Sequence, residues 1–569
     1  MKLFDAGLMP HLTRENTVRG EKPHIVIIGG GISGLSAGCY ARMNGFSATI
    51  IEMHDKPGGC CTSWDRRGYT FDPCISWLNG SGNDRTDELS EVWRELNAFD
   101  GKTISQVSVF NTVRFPDGSH IQFHCDPDVL EEHLLAISPE DEVYIKKYCQ
   151  YVRDFRKCSR YFPFLKAQGL RNFWDKTRLM VKLLPYMKTF SQTMSISVEQ
   201  FASQFRHPKL REAFRYILFD AIKGIPLLPS CINVANAADN NAGVPAAGSL
   251  SVAQSLEERF LQLSGVIRYK NQVKTIEVHK DRVTGVTLSS GETLDADIVI
   301  GASDGYNQIY NFLGGKYRSD VIDKSYASFE QSPDDIFPGT VCMFLGLNAD
   351  YTHLPAFSTY ILHAEERAKL PGLGESGISV QVRNRLFPGC APQGKSVIYV
   401  SFLSDFQFWN ALDEKSKTEK GGVEKGSSSR YTKRKRSLEY RQAKLRLAEQ
   451  LIACLDARHP GLSEHIEYTD LATPLTCLRY TGNRHGSIFG WTPLTPNNDQ
   501  IEAEIARFKG KLPGLQGFYM AGHWLGNGGV TRAAHSGRHA IQYICSDLKM
   551  PFVVQPKTNC APAIICNLT

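Results

Sequence analysis

Gly29, Gly31 and Gly34 stand in G-x-G-x-x-G spacing between an apolar, β-branched run, IVIIGG, and a stretch of helical periodicity, LSAGCYARMN. Glycines so placed serve phosphate binding. The first permits a tight turn, the second lets main-chain amides approach a pyrophosphate, and the third lets the helix pack on the strand, with Ser33 inside the same turn. Glu52 ends the next apolar run, SATIIE, 23 residues after Gly29, where a carboxylate accepts hydrogen bonds from ribose hydroxyls. A second glycine pair, Gly58 and Gly59, follows with Cys60 beside it and can bring further amides against an extended cofactor. Near the other end, FYMAGHWLGNGGVTRAAHSGRHAIQYI sets Gly522, Gly529 and Val530 at a turn that opens another helix. Its N-terminus can face an anion or the electron-rich end of a flavin ring. Two separated glycine-rich helix starts suit one long dinucleotide gripped at both ends, and they point to FAD.

The elements needed to hold these residues are a parallel strand, a helix and a second strand, since IVIIGG reads as a buried strand and Gly45 closes the helix that follows it. The 569 residues are 42% hydrophobic and 22% charged, which suits a folded chain of several domain equivalents and excludes a disordered or fibrous one. The net charge of +6 is local. Lys415 to Lys444 holds eleven Lys/Arg and three Glu, a balance of +8, so the rest of the chain is near −2 and a nucleic-acid partner is not expected. Fifteen cysteines without paired CxxC units, an N-terminus without an apolar leader and no run of 18 apolar residues together indicate a reducing, cytoplasmic setting. No metal-ligand cluster, Ser-His-Asp order or paired carboxylates emerges from spacing, so hydrolytic and metal mechanisms lack support.

GGCC after Glu52, GYTFDPCISW, the blocks Asn240 to Gly265 and Val273 to Gly305, LRYTGNRHGSIFGW and AGHWLGNGGV occur in one order along the chain. In these residues the sequence resembles bacterial-type phytoene desaturases and retinol saturases, within the amine-oxidase-like flavoprotein superfamily. That resemblance implies an α/β fold, a discontinuous Rossmann-like FAD-binding domain with an interleaved α+β substrate domain, to which the residue pattern of Arg156 to Phe190 adds a helical segment that either contacts a membrane or packs on the core. Residues 23–100, 235–310 and 510–548 would form the FAD domain and 101–234 and 311–509 the substrate domain. An extension over 1–22, a flexible basic insertion over 415–436 and a tail over 549–569 complete the chain. Val273 would meet the adenine by its backbone; read alone, its segment is an ordinary hairpin.

The implied activity is FAD-dependent desaturation of a lipophilic isoprenoid, polyene or prenylated natural product. A saturase using reduced flavin, an amine oxidase and a flavin-free isoprenoid escort are the alternatives. Motif position puts His523, Tyr480, Arg484 and Asn527 forward as catalytic candidates, with Ser76, Trp77 and Arg532 beside them. His523 leads, because imidazole exchanges protons near neutrality. His535 reads as structural. The resemblance is broken at Ser76, His523, Asn527 and Thr531, where related sequences carry histidine, an acid and prolines respectively.

Arg156 to Phe190 carries nine Lys/Arg against one Asp, with Leu170, Phe173, Trp174, Val181 and Leu184 on one approximate helical face. Such a helix either lies in a bilayer interface, giving peripheral membrane association, or turns its apolar side to the core.

Overall fold

The computed structural model describes residues 22–82, 87–218, 223–331, 335–374, 377–418, 436–526, 528–555 and 564–568. Residues 1–21 of the expected extension and 419–435 of the expected insertion lie outside them.

Strands Val266–Arg268, Ser47–Ile51, His24–Ile28, Ile298–Gly301 and Phe518–Met520 form, in that order, a five-stranded parallel sheet. Ile25 pairs with Ala48 on one side and Ile298 on the other. These strands read as unbroken apolar runs because both sheet faces are covered. Ile25, Ile27 and Ile50 enter a core with helices Ile32–Met43, Ser249–Gln262 and Val530–Asp547, whereas Val26, Ile28 and Ile51 meet the hairpin Val273–His279 and Arg282–Leu288. The first helix lies close on its strand, for a Cβ at Gly34 would overlap the carbonyl oxygen of Gly29.

A seven-stranded mixed sheet runs Ile466–Ala472, Gly339–Leu347, Ser396–Ser404, Ile378–Val382, Phe357–Tyr360, Val109–Arg114 and His120–His124. Period-two alternation divides its faces. Met343, Ile398, Val400 and Val380 pack with Leu447 and Leu451 of helix Leu438–Arg458, and the opposite face, with Cys342, Tyr399, Ser401 and Gln381, lines a cavity.

A helical lobe packs Tyr148, Phe155, Phe201 and Phe214 into a further core. Out of it stands helix Phe173–Leu183, begun by a capping box between Asn172 and Asp175, with no residue buried. Phe173 is 72% exposed and Trp174 74%, so the aromatic residues of this helix face away from the core, against which Leu183 packs.

The segment after Leu548 returns to the fold rather than trailing from it. The Val553 amide donates to Asn44 Oδ1 at 2.7 Å, and Ile564–Leu568 pairs in parallel with Thr103–Val107.

Candidate functional site: a two-ended cavity

The turn after His24–Ile28 is built around Glu52. Its carboxylate accepts from the Gly30 amide at 2.7 Å and from the His54 amide at 2.8 Å, which fixes it at the carboxyl edge of the parallel sheet. Helix Ile32–Met43 begins at Gly31 and helix Val530–Asp547 at Gly529, and neither has a side chain capping its first turn among the described residues. Unfilled first-turn amides favour an anionic ligand. Gly522 holds φ +112°, and a Cβ there would stand 3.4 Å from Ser33 Oγ, so the turn after strand Phe518–Met520 lies against the first helix start. Gly58 bridges to Gly31 and donates its amide to the Gly30 carbonyl at 2.9 Å, closing the second glycine pair over the first turn. Cys60 is packed, accepting from Asn483 Nδ2 at 3.6 Å. Val273 lies near Glu52, since the Asn271 amide donates to the Glu52 carbonyl at 2.9 Å.

Gly29, Gly31, Ser33, Glu52, Gly58, Gly59, Cys60, Val273, Gly522, Gly529 and Val530 line one cavity of about 1780 Å³, and Gly34 sits behind it as a packing residue. A single drug-sized ligand takes roughly 300–1,000 Å³, so the space suits a dinucleotide and a second molecule together. Its lining also includes Trp77, stacked between Phe110 at 4.4 Å and Phe357 at 4.8 Å, and Phe162, Phe190 and Met194 of the helical lobe.

The candidates for chemistry separate. His523 lines the cavity, and burial pushes its imidazole down to about 4; its Nε2 has no partner among the described residues. Burial thus favours the uncharged form of the imidazole. Tyr480 is half exposed and stacks on His54 at 5.3 Å, two residues beyond Glu52. That places it beside the Glu52 turn. Arg484 lies against Tyr306, 4.0 Å from the ring centroid, and its amide donates to Asp304 at 2.8 Å; it is outside the cavity lining. Asn527 lies outside the described residues. Arg532 reaches the cavity over the Phe164 ring, and buried His535 meets the Leu89 carbonyl at 3.4 Å.

Two features escape sequence reasoning. Asp304, at the end of strand Ile298–Gly301, accepts from the amides of Arg484 and Asn307, and burial pushes its carboxyl up to about 6. A turn acid after a parallel strand was the available signal. Ser76 exchanges hydrogen bonds with Gln381, which accepts from Arg383 at 2.9 Å, and Arg383 lies 3.5 Å from Asp72 with both side chains 1% exposed. No local pattern announces contacts across 305 positions.

A parallel sheet with glycine turns at its carboxyl edge and a second, mixed sheet lining the same cavity defines a dinucleotide-binding α/β fold. Residues 27–96 match the family described as NAD(P)-binding Rossmann-like domain. Over 546 residues the chain is 24% identical to a lycopene-forming phytoene desaturase of Paracoccus, covering 92% of this chain and 97% of that enzyme. It is 20% identical to a chloroplastic prolycopene isomerase of Daucus carota, covering 93% and 81%, and 23% identical to an all-trans-retinol 13,14-reductase of Danio rerio, covering 91% and 86%. The fold matches a putrescine oxidase variant with TM-score 0.55 at 12% identity, covering 92% and 99%, and an oxidoreductase from Methanosarcina mazei with TM-score 0.51 at 14% identity, covering 91% and 100%. The chain is a homologue of the phytoene desaturases, prolycopene isomerases and retinol reductases.

Proposed function

We propose that this protein is an FAD-dependent oxidoreductase that desaturates a lipophilic isoprenoid or polyene. The observation that carries the reading is one cavity with two uncapped helix starts at one end and an aromatic wall at the other. The chain fits FAD on its own geometry: Gly31 leaves its side-chain space open beside the first helix start, and Glu52 faces the same space. Glu52 and Val273 would hold the adenosine, the turns at Gly29, Gly31, Ser33, Gly34, Gly58, Gly59 and Cys60 the pyrophosphate, and Gly522, Gly529 and Val530 the far end. When bound, the flavin supplies a hydride acceptor at N5. The protein's part is to hold a C–H bond in place and exclude water, which the Trp77, Phe110 and Phe190 walls serve.

His523 is assigned as a neutral hydrogen-bonding group, Tyr480 as a wall of the ribose end and Arg484 as a positioning residue through Asp304. The reverse reaction, saturation by reduced flavin, is the second reading, favoured by the retinol reductase relative over 91% of this chain. Anaerobic mixing with candidate isoprenoids separates the two. Bleaching of the flavin with a product lighter by two hydrogens supports desaturation; turnover only from reduced flavin, with a heavier product, supports saturation. Neither result with any isoprenoid sinks both.

Among the described residues no helix is long and apolar enough to cross a membrane. The substrate's route is instead assigned to helix Phe173–Leu183, lying on a bilayer surface, because its aromatic residues are exposed and the cavity-lining Phe190 and Met194 follow it in the chain.

A further inference from the structure

Four small side chains sit side by side across four strands of the seven-stranded sheet: Ala472 pairs with Cys342, Cys342 with Ser401, and Ser401 with Ser379. All four line the cavity. Neighbouring strands are about 4.8 Å apart, so the row makes a shallow trough roughly 14 Å long, at right angles to the strands. Two residues further along the two middle strands the side chains become large, where Phe344 and Tyr399 stack at 4.7 Å. The trough therefore has a wall.

At one end is Ser379, 2% exposed, whose hydroxyl has no hydrogen-bond partner among the described residues. Its neighbour along the strand, Gln381, is already committed to Ser76 and Arg383. A buried hydroxyl left unpaired costs about 1–3 kcal/mol, a cost removed by a ligand oxygen placed beside it. A pure hydrocarbon offers none.

We infer that this trough seats an elongated isoprenoid bearing a hydroxyl or carbonyl oxygen, which pairs with Ser379. The inference rests on the isoprenoid reading above and narrows it, making Ser379 a specificity-determining residue and a hydrocarbon polyene the poorer ligand.

The test is equilibrium binding to the flavin-loaded protein of all-trans-retinol and of axerophthene, the hydrocarbon lacking its hydroxyl, followed by quenching of tryptophan fluorescence, with Trp77 in the cavity wall. The alcohol is expected to bind roughly tenfold more tightly than the hydrocarbon. Ser379→Ala should bring the two to within about twofold by weakening the alcohol alone, because a lost hydrogen bond leaves apolar contact intact. Ser379→Val should weaken both, since its branches fill the trough. A wild-type preference for the hydrocarbon, or an alcohol preference untouched by Ser379→Ala, overturns the assignment of Ser379 and leaves the isoprenoid reading standing. Failure of both polyenes to bind wild-type protein overturns the two together. Equal flavin content and thermal midpoint in the variants separate these results from misfolding.

Discussion

The Ser36 hydroxyl donates to the carbonyl oxygen of Ala534 at 2.6 Å, joining the first helix to the last across 498 positions. The two helices approach closely enough that a Cβ at Gly537 would overlap the Ser33 carbonyl oxygen. This contact sets the two helix starts beside one another. Ser36→Ala should cost about 1 kcal/mol of stability, the worth of one hydrogen bond. Gly537→Val should cost several times that and lower flavin occupancy, because the helices must part before the branched side chain fits. Thermal midpoints and the ratio of flavin to protein absorbance check both; a Gly537→Val protein with wild-type occupancy would mean the close crossing is not what aligns the turns.

Glu52, beside the first glycine turn, offers a second test. Removing its carboxylate strands the Gly30 and His54 amides as well as any ribose hydroxyl, so Glu52→Ala should reduce flavin retention roughly tenfold or more. Glu52→Gln keeps one acceptor oxygen and should fall between the two. Dialysis followed by flavin quantification reads the order, and equal retention in all three proteins removes Glu52 from the ribose.

Legibility in the sequence tracks distance along the chain. Gly29, Gly31, Gly34 and Glu52 lie within one strand–helix–strand unit, where backbone geometry dictates residue type, so their spacing alone describes the turn. Tyr480 is different: helix Pro474–Thr481 ends at Gly482, and the turn aims Tyr480 at His54, which motif order does not encode. His523 kept its place at the cavity, but its charge state follows from burial by groups remote in sequence. The Ser379 row needs strand register among four separate segments, and register is a property of the folded sheet.

Asp304 and His523 give opposite pH dependences. Burial raises the Asp304 carboxyl to about 6 from an ordinary 3.8, so the folded chain binds its proton more readily, and its contribution to stability falls as pH rises from about 4 to 6. His523 has a folded value of about 4 against 6.5, so its contribution grows over nearly the same interval. Asp304→Asn should therefore gain stability relative to wild type as pH rises to 6, by on the order of 2 kcal/mol, offset by a weaker acceptor for the Arg484 amide. His523→Gln should gain relative to wild type as pH falls below 6. Urea midpoints at pH 4, 5, 6 and 7 measure both differences; parallel curves for either variant would show that its parent side chain titrates as it does in the unfolded chain.

Helix Phe173–Leu183 presents Phe173, Trp174, Met180 and Val181 to solvent, all at least 65% exposed, with Lys176, Arg178 and Lys182 interspersed. Burying an aromatic side chain of this size in an interface is worth about 1.5–3 kcal/mol, and each nearby Lys or Arg adds about 1 kcal/mol against anionic lipid. Wild-type protein should therefore sediment with phosphatidylserine-containing vesicles and less with neutral ones. Substituting Phe173→Ser and Trp174→Ser together should lower vesicle partitioning at least about tenfold. Flavin content should not change, since neither residue lines the cofactor cavity. Turnover should fall for substrate supplied in vesicles and stay near wild type for substrate in detergent micelles, because the helix acts on delivery and not on the reacting bond. Equal sedimentation of wild type and double variant with anionic vesicles would remove this helix from the membrane and leave its exposed aromatic pair to another partner.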